Sequence, residues 1–229
     1  SAGSTGAVMA AATLGIGRIK GIDRPAITNA LPGPRPTVLL DLGANADCKP
    51  ANIVQFAQMG IAYSQAVVGV ENPTVGLLNI GSEDTKGSLE AQSFFAALRE
   101  GVPAFKGNAE GSDLFAGTFD VIVTDGFTGN VALKTIEATA KYMFGELKGA
   151  IGASLATKLA GAALKPGLRA IKDKMSGERY GGAVLLGVKG VVAIGHGATS
   201  PEAVKNGTVC VAEAVRGGLV QRIAAALAE

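Results

Sequence analysis

The feature that most constrains this chain is a junction repeated along its length. Short apolar runs end in a cluster of glycine and small polar residues, and most of these clusters lead into a helical stretch. Thr37–Asp41 (TVLLD) leads into Gly43-Ala44-Asn45-Ala46-Asp47, Thr74–Ile80 into Gly81, Glu83, Lys86 and Gly87, and Pro103–Lys106 into Gly107-Asn108-Ala109-Glu110-Gly111. Asp120–Thr124 (DVIVT) leads into Asp125-Gly126-Phe127-Thr128-Gly129-Asn130, and Val191–Ile194 into Gly195-His196-Gly197. Ala183–Leu186 is a further candidate strand. Runs that are apolar throughout, rather than alternating, predict strands covered on both faces; their alternation with helices predicts a mostly parallel sheet. Helices are predicted at Pro50–Val68, Ser88–Arg99 and Asn130–Lys148. A long final helix is predicted from Pro201, capped by Ser200, with Val204, Val211, Val215, Leu219, Ile223 and Leu227 as its apolar stripe. The carboxyl ends of parallel strands form one rim where ligands bind, so the five clusters are expected to converge there.

Composition excludes several classes. A chain of 229 residues with 48% hydrophobic and 17% charged residues is not disordered and suits one principal domain over 1–229. A net charge of +2, 5% aromatic residues and no tryptophan argue against a nucleic-acid partner. Cys48, Cys210 and a single histidine make neither a disulfide framework nor a four-ligand zinc site, so no metal and no cofactor is expected, and the compartment reads as reducing. The run Ala51–Val70 contains Asn52, Gln55, Gln58, Ser64 and Gln65, too polar for a bilayer span, and the first seventeen residues lack a basic leader. A cytoplasmic protein is expected. The chain opens on Ser1-Ala2-Gly3-Ser4-Thr5-Gly6, a loop that normally follows a strand, with no strand ahead of it. It therefore reads as N-terminally incomplete.

One segment breaks the alternating order. Lys141–Arg179 has no strand signal and carries eight basic against three acidic residues, a net +5 that leaves −3 for the rest of the chain. After Pro166, Leu168, Ile171 and Met175 share a face beside Arg169 and Lys172. This predicts a helical hairpin projecting from the α/β body. Its readings are a solvated face or dimer contact, or a basic amphipathic element touching an anionic membrane through Lys158, Lys165, Leu168, Arg169, Ile171 and Lys172.

The clusters hold amides, carboxylates, lysines (Lys86, Lys134) and His196. Glycines admit close backbone approach and helix N-termini aim N–H groups outward, which together with lysine suits an anion such as phosphate. There is no GxxxxGK[ST] loop, and Gly15-Ile16-Gly17 lacks dinucleotide spacing. Each residue also has a plainer reading. Asp41, Asp125 and Asp47 can cap turns or helices, Asn45, Asn108 and Asn130 can satisfy turn backbone, Lys86 and Lys134 can be surface lysines, and Cys48 and Cys210 can be packing residues, with Cys48 as a nucleophile the alternative.

SAGSTGA (Ser1–Ala7), LLDLGANADC (Leu39–Cys48), VGLLNIGSEDTKG (Val75–Gly87), GNAEGSD (Gly107–Asp113), DGFTGNVALK (Asp125–Lys134) and GGAVLLGVKG (Gly181–Gly190) occur in order. Together they resemble the bacterial fatty acyl-ACP:phosphate acyltransferase family, PlsX, along essentially the whole chain. The chain departs from that pattern at Ser4 and at Ala198-Thr199. The resemblance implies a three-layer α/β/α fold related to phosphotransacetylases and the isocitrate-dehydrogenase-like group. It also implies a homodimer, a hairpin at Lys141–Arg179 concerned with dimer contacts and peripheral membrane attachment, and conversion of acyl-ACP and inorganic phosphate to acyl phosphate and free ACP in phospholipid synthesis. Phosphate is itself the nucleophile in such a reaction, so no catalytic triad is required. Phosphate is then expected on Lys86, on Ser1, Gly3, Ser4, Thr5 and Gly6, and on the Gly126–Gly129 turn. Asn45 and Asn130 are expected as oxyanion donors, Asp41 or Asp125 to orient lysine or accept a proton, and His196 to help the leaving thiolate. The competing readings are a short-chain enzyme using acyl-CoA and a catalytically silent fragment that docks ACP or membrane.

Overall fold

The computed structural model describes residues 1, 3–175, 182–195 and 200–227. Seven strands form one sheet: β1 (Ala26–Leu31), β2 (Thr37–Leu40), β3 (Val75–Leu78), β4 (Phe105–Ala109), β5 (Val121–Val123), β6 (Ala183–Leu186) and β7 (Val192–Ile194), in the order β4-β3-β5-β2-β1-β6-β7. The pairs β4–β3, β3–β5 and β5–β2 are parallel, whereas β1 is antiparallel to both β2 and β6, and β7 to β6. Five strands thus share a direction and two oppose it. The sequence does not announce β1: Thr28 and Asn29 interrupt its apolar character, yet Thr28 Oγ1 donates to the Leu39 carbonyl at 3.0 Å and so tolerates full burial.

The strands are apolar on both faces because both faces are covered. Val38, Leu40, Val121, Val123, Val184 and Leu186 point to one core, and Leu39, Ile122 and Leu185 to the other, the period of two that a pleated strand imposes. The first core is closed by α2 (Pro50–Tyr63), α3 (Leu89–Gly101), α7 (Pro201–Arg216) and α8 (Leu219–Ala226). The second is closed by α1 (Thr5–Ala11, extended by a π-turn to Ile16), α4 (Asp113–Ala116) and the first turns of α5 (Gly126–Gly152). Each fully buried Leu or Ile contributes about 1.5–3 kcal/mol. The result is the expected three-layer α/β/α arrangement.

Helix ends follow local chemistry. Ser88 caps α3 by accepting from the Ala91 amide at 3.1 Å, with Glu90 in its first turn and Arg99 in its last, each facing the helix pole of opposite sign. Asp47 does not cap α2; the cap is Lys49, whose backbone amide donates to Asn52 Oδ1 at 2.9 Å. The final helix is two helices. Gly217 sits so close to Ala66 that a side chain would meet its carbonyl, and Gly218 takes a positive φ of +68°, which breaks the run between α7 and α8. Its buried face is correspondingly Gly207, Cys210 and Ala214, then Leu219 and Ile223; Val204 and Val215 are exposed. Small residues, not valines, let α7 lie close.

The hairpin is present. α5 is 27 residues long, about 40 Å at 1.5 Å per residue. It begins over β2 and runs on beyond the sheet, and α6 (Leu155–Met175) returns against it with Pro166 inside. Lys158, Lys165, Arg169 and Ile171 are exposed on α6 and Leu168 is half-buried; the side chain of Lys172 and residues 176–179 of the expected extension lie outside the described part. Among the described residues, no helix is long and apolar enough to cross a membrane.

Candidate active site

The loops after β2, β3, β4 and β5 leave one rim of the sheet, because those four strands run parallel side by side. The loop after β2 is built on Asp41. Its carboxylate is buried and accepts from the amides of Ile27 (3.0 Å), Gly43 (3.3 Å), Ala44 (3.0 Å) and Asn45 (2.7 Å), and from Asn45 Nδ2 (2.8 Å). Burial raises its pKa, and the donated hydrogen bonds pull in the opposite direction. Asn45 spends its second amide hydrogen on the Pro25 carbonyl at 2.8 Å. The Asp41 carboxylate and both amide hydrogens of Asn45 are therefore committed to shaping the turn, and Asn45 has no side-chain donor left for a substrate.

That turn is clamped to the start of α5. The Gly126 amide donates to the Asn45 carbonyl at 2.7 Å. A Cβ on Gly126 would meet Asn45 backbone at 2.6 Å and Asp41 Oδ2 at 2.8 Å, and one on Gly129 would lie 1.9 Å from the Asp41 carbonyl oxygen. The two glycines are there for close backbone packing. Asp125 caps the helix, accepting from the Thr128 amide and its hydroxyl, both at 2.7 Å. Asn130, on the exposed side of the same turn, lies against Gly43 and its amide makes no hydrogen bond among the described residues. Asn130 alone of the two expected oxyanion donors has a free amide.

The loop after β3 carries Lys86. Its ammonium lies 3.8 Å from Glu83, both side chains well exposed, an ion pair too open to hold the lysine in place. The loop itself is fixed from below: Asn79 Nδ2 donates to Asn108 Oδ1 (3.0 Å) and to the Lys86 carbonyl (3.1 Å), and Asn108 Nδ2 to the Glu83 carbonyl (2.8 Å). Asn79 was not singled out by the sequence; two asparagines at the ends of neighbouring strands were the available signal. Asn108 itself belongs to β4, which begins two residues later than the sequence suggests. Lys134 is paired with Glu137 at 2.7 Å on the side of α5.

Gly195, where the fifth cluster begins, and the N-terminal loop do not join this rim. β7 runs antiparallel to β6, with Ile194 opposite Ala183, so its end lies at the edge where β2 to β5 begin. Ser1 and Gly3 follow it there: Ser1 N donates to the Ala193 carbonyl at 2.9 Å, the Gly195 amide to Ser1 (2.7 Å) and Gly3 to Gly195 (3.4 Å). Ser1, Gly3, Ser4, Thr5 and Gly6 are thus placed apart from Lys86, Gly126 and Gly129, because the reversed strand turns the chain to the other edge. His196 lies outside the described residues. Cys48 is buried, donates to the Asn45 carbonyl at 3.5 Å, and burial pushes its thiol up to about 11, which keeps it neutral rather than nucleophilic.

Over residues 1–222 the chain matches the family described as fatty acid synthesis protein. It is 48% identical to a phosphate acyltransferase of Bacillus cereus strain B4264 over 206 residues, 89% of this chain and 62% of that one. It is 46% identical to a phosphate acyltransferase of Anoxybacillus flavithermus, covering 100% of this chain and 70% of the relative. In structure it is similar to a phosphotransacetylase from Streptococcus pyogenes, with a TM-score of 0.57 at 15% identity over 93% of this chain and 61% of that one. A branched-chain phosphotransacylase from Enterococcus faecalis V583 follows with a TM-score of 0.52 at 12% identity, covering 92% and 79%. Those two likenesses carry the fold. With a family match along nearly its whole length, the chain belongs to the fatty acid synthesis protein family, and it spans 62% to 70% of the length of the two phosphate acyltransferases it matches.

Proposed function

We propose that this chain serves the transfer of an acyl group from acyl-ACP to inorganic phosphate, releasing acyl phosphate and free ACP. A phosphate oxygen forms a bond to the thioester carbonyl carbon, the carbon–sulfur bond breaks, and the proton given up by the phosphate ends on the ACP thiol. The observation that supports this reading is the single rim formed after β2, β3, β4 and β5, where Lys86, the start of α5 and the uncommitted amide of Asn130 stand on neighbouring loops. Lys86 supplies positive charge for the phosphate. The first turn of α5 adds the positive pole of its helix dipole. Asn130 donates to the oxyanion that develops on the carbonyl. Asp41, Asn45 and Asp125 act through position: they fix the turn and the helix start so that these donors are set before the substrate arrives. Ser1 to Gly6 and the end of β7 are left out of this centre, since they lie at the other edge.

The phosphotransacetylase fold alone would equally suit acyl-CoA; membership of a fatty acid synthesis family favours acyl-ACP. Incubating the chain with palmitoyl-ACP and hydroxylamine, with and without phosphate, is the direct test. Phosphate-dependent acyl hydroxamate is the expected product. Hydroxamate formation that ignores phosphate, or turnover confined to short acyl-CoA, would overturn the assignment.

A further inference from the structure

Beyond the sheet, α4, α5 and α6 line an open cavity of about 470 Å³, within the range of about 300–1,000 Å³ typical of small-molecule sites. No charged residue lines it. Thr135, Thr139, Met143 and Leu147 of α5 form its floor, Phe115 of α4 one wall and Ile171 of α6 another. The Thr135 hydroxyl is spent on the Val131 carbonyl at 2.8 Å, which leaves the lining apolar.

The four floor residues are spaced by four and make one ridge of the helix, and the same ridge continues towards the rim as Val131 and Phe127. Both are large apolar side chains left open, Val131 51% and Phe127 67% exposed. A helix start that caps a polar rim has no structural use for an exposed phenylalanine and valine on the row that enters an apolar cavity. Length agrees with this. Along α5, Asn130 is about 8 Å from Thr135 and about 20 Å from Met143 at 1.5 Å per residue. A long acyl chain spans about 15 Å, half the hydrocarbon thickness of a bilayer.

We propose that this ridge and cavity hold the acyl chain of the substrate, with the thioester carbonyl at the rim and the methyl end between α4, α5 and α6. The inference rests on the reading of acyl transfer given above and adds where chain length is measured. Short acyl groups reach only Phe127 and Val131; long ones fill the cavity, and each methylene admitted adds about fourfold to binding.

The test uses Thr139→Phe, which places a ring on the cavity floor at an exposed helical position, and Ala138→Phe, which adds the same bulk to α5 off the cavity. Binding of cis-parinaric acid, a fluorescent long-chain fatty acid, and the ratio of turnover on palmitoyl-ACP to octanoyl-ACP are measured for both. Thr139→Phe is expected to lower parinarate affinity and the long-to-short ratio by about tenfold or more, with Ala138→Phe leaving both unchanged. Unaltered parinarate binding and ratio in Thr139→Phe would overturn the proposal. So would a Thr139→Phe protein that keeps both but loses self-association in sedimentation or binding to phosphatidylglycerol vesicles, since the face then belongs to a second copy or a bilayer. Parinarate binding abolished by Thr139→Phe in a chain that makes no hydroxamate would uphold the cavity and sink the acyl-transfer reading. Phosphate-dependent hydroxamate with an unchanged ratio would do the reverse.

Discussion

The two ends of α5 obey opposite rules. At its start the helix lies so close to the turn after β2 that Gly126 and Gly129 have no room for a methyl group, and Asp125, Asp41 and Asn45 are held by hydrogen bonds to neighbouring amides and carbonyls. From Lys141 onward nearly every side chain is exposed, and Gly145, Gly149 and Gly152 face open space. One helix thus does two jobs. The packed end fixes chemical groups to a fraction of an ångström, as a reacting centre requires. The open end presents apolar surface whose shape is set only by α6 and Phe115, which suits a chain-like ligand of variable length.

The sharpest way to break this contrast is Gly129→Ala. Its Cβ would fall 1.9 Å from a backbone oxygen held on both sides, so helix and turn must part. A loss of about 3 kcal/mol or more is expected in urea denaturation, together with loss of turnover. The next residue gives the opposite separation. Asn130→Ala and Lys86→Ala touch exposed side chains and are expected to lower kcat/KM about 10²-fold while the unfolding midpoint stays in place. Either variant with wild-type kinetics removes that residue from the proposed centre.

The legible part of the sequence was what repeats. Apolar runs without alternation, such as TVLLD and DVIVT, correctly imply a sheet covered on both sides, and Ser88, Ser200 and Pro201 mark helix starts that the structure keeps. Direction was not legible. Nothing in VVAI says that β7 runs against β6, because strand polarity is decided by which neighbour it pairs with, and that pairing carried the loop of Ser1 to Gly6 away from the rim. Side-chain commitment was equally hidden. Asn45 and Asn130 look alike in the sequence; only the contacts of the folded turn separate a scaffold amide from a free one. Gly126 and Gly129 read as anion-binding glycines, whereas their first duty is to let two backbones meet.

At the open end the same change of glycine to alanine should reverse sign. Gly145 has nothing within 4 Å of where a Cβ would lie, so alanine there removes only backbone freedom from the unfolded chain. Gly145→Ala is expected to raise stability by about 0.5–1 kcal/mol, read from the urea midpoint. A decrease would mean that this end of α5 is already packed against another surface in solution, and the contrast between the two ends would narrow.

The smallest effect concerns Cys48, which sits under the clamped turn. Burial holds its thiol protonated up to about 11, against an ordinary 9.0, so the folded chain keeps a proton that the unfolded chain releases first. Its contribution to stability is therefore complete below about pH 9 and fades as pH rises towards about 11. Cys210, also raised by burial, acts in the same direction. The share belonging to Cys48 is the difference between the wild type and Cys48→Ala over that interval. Iodoacetamide should modify Cys48 slowly in neutral solution and faster only as pH climbs, since the thiolate is the reacting form. Cys48→Ala should keep its turnover, because a neutral thiol that already donates to the Asn45 carbonyl has no part in attacking a thioester. Rapid alkylation at neutral pH, or a large loss of turnover in Cys48→Ala, would return Cys48 to the reacting groups and show that the packed end of α5 is looser than its glycines require.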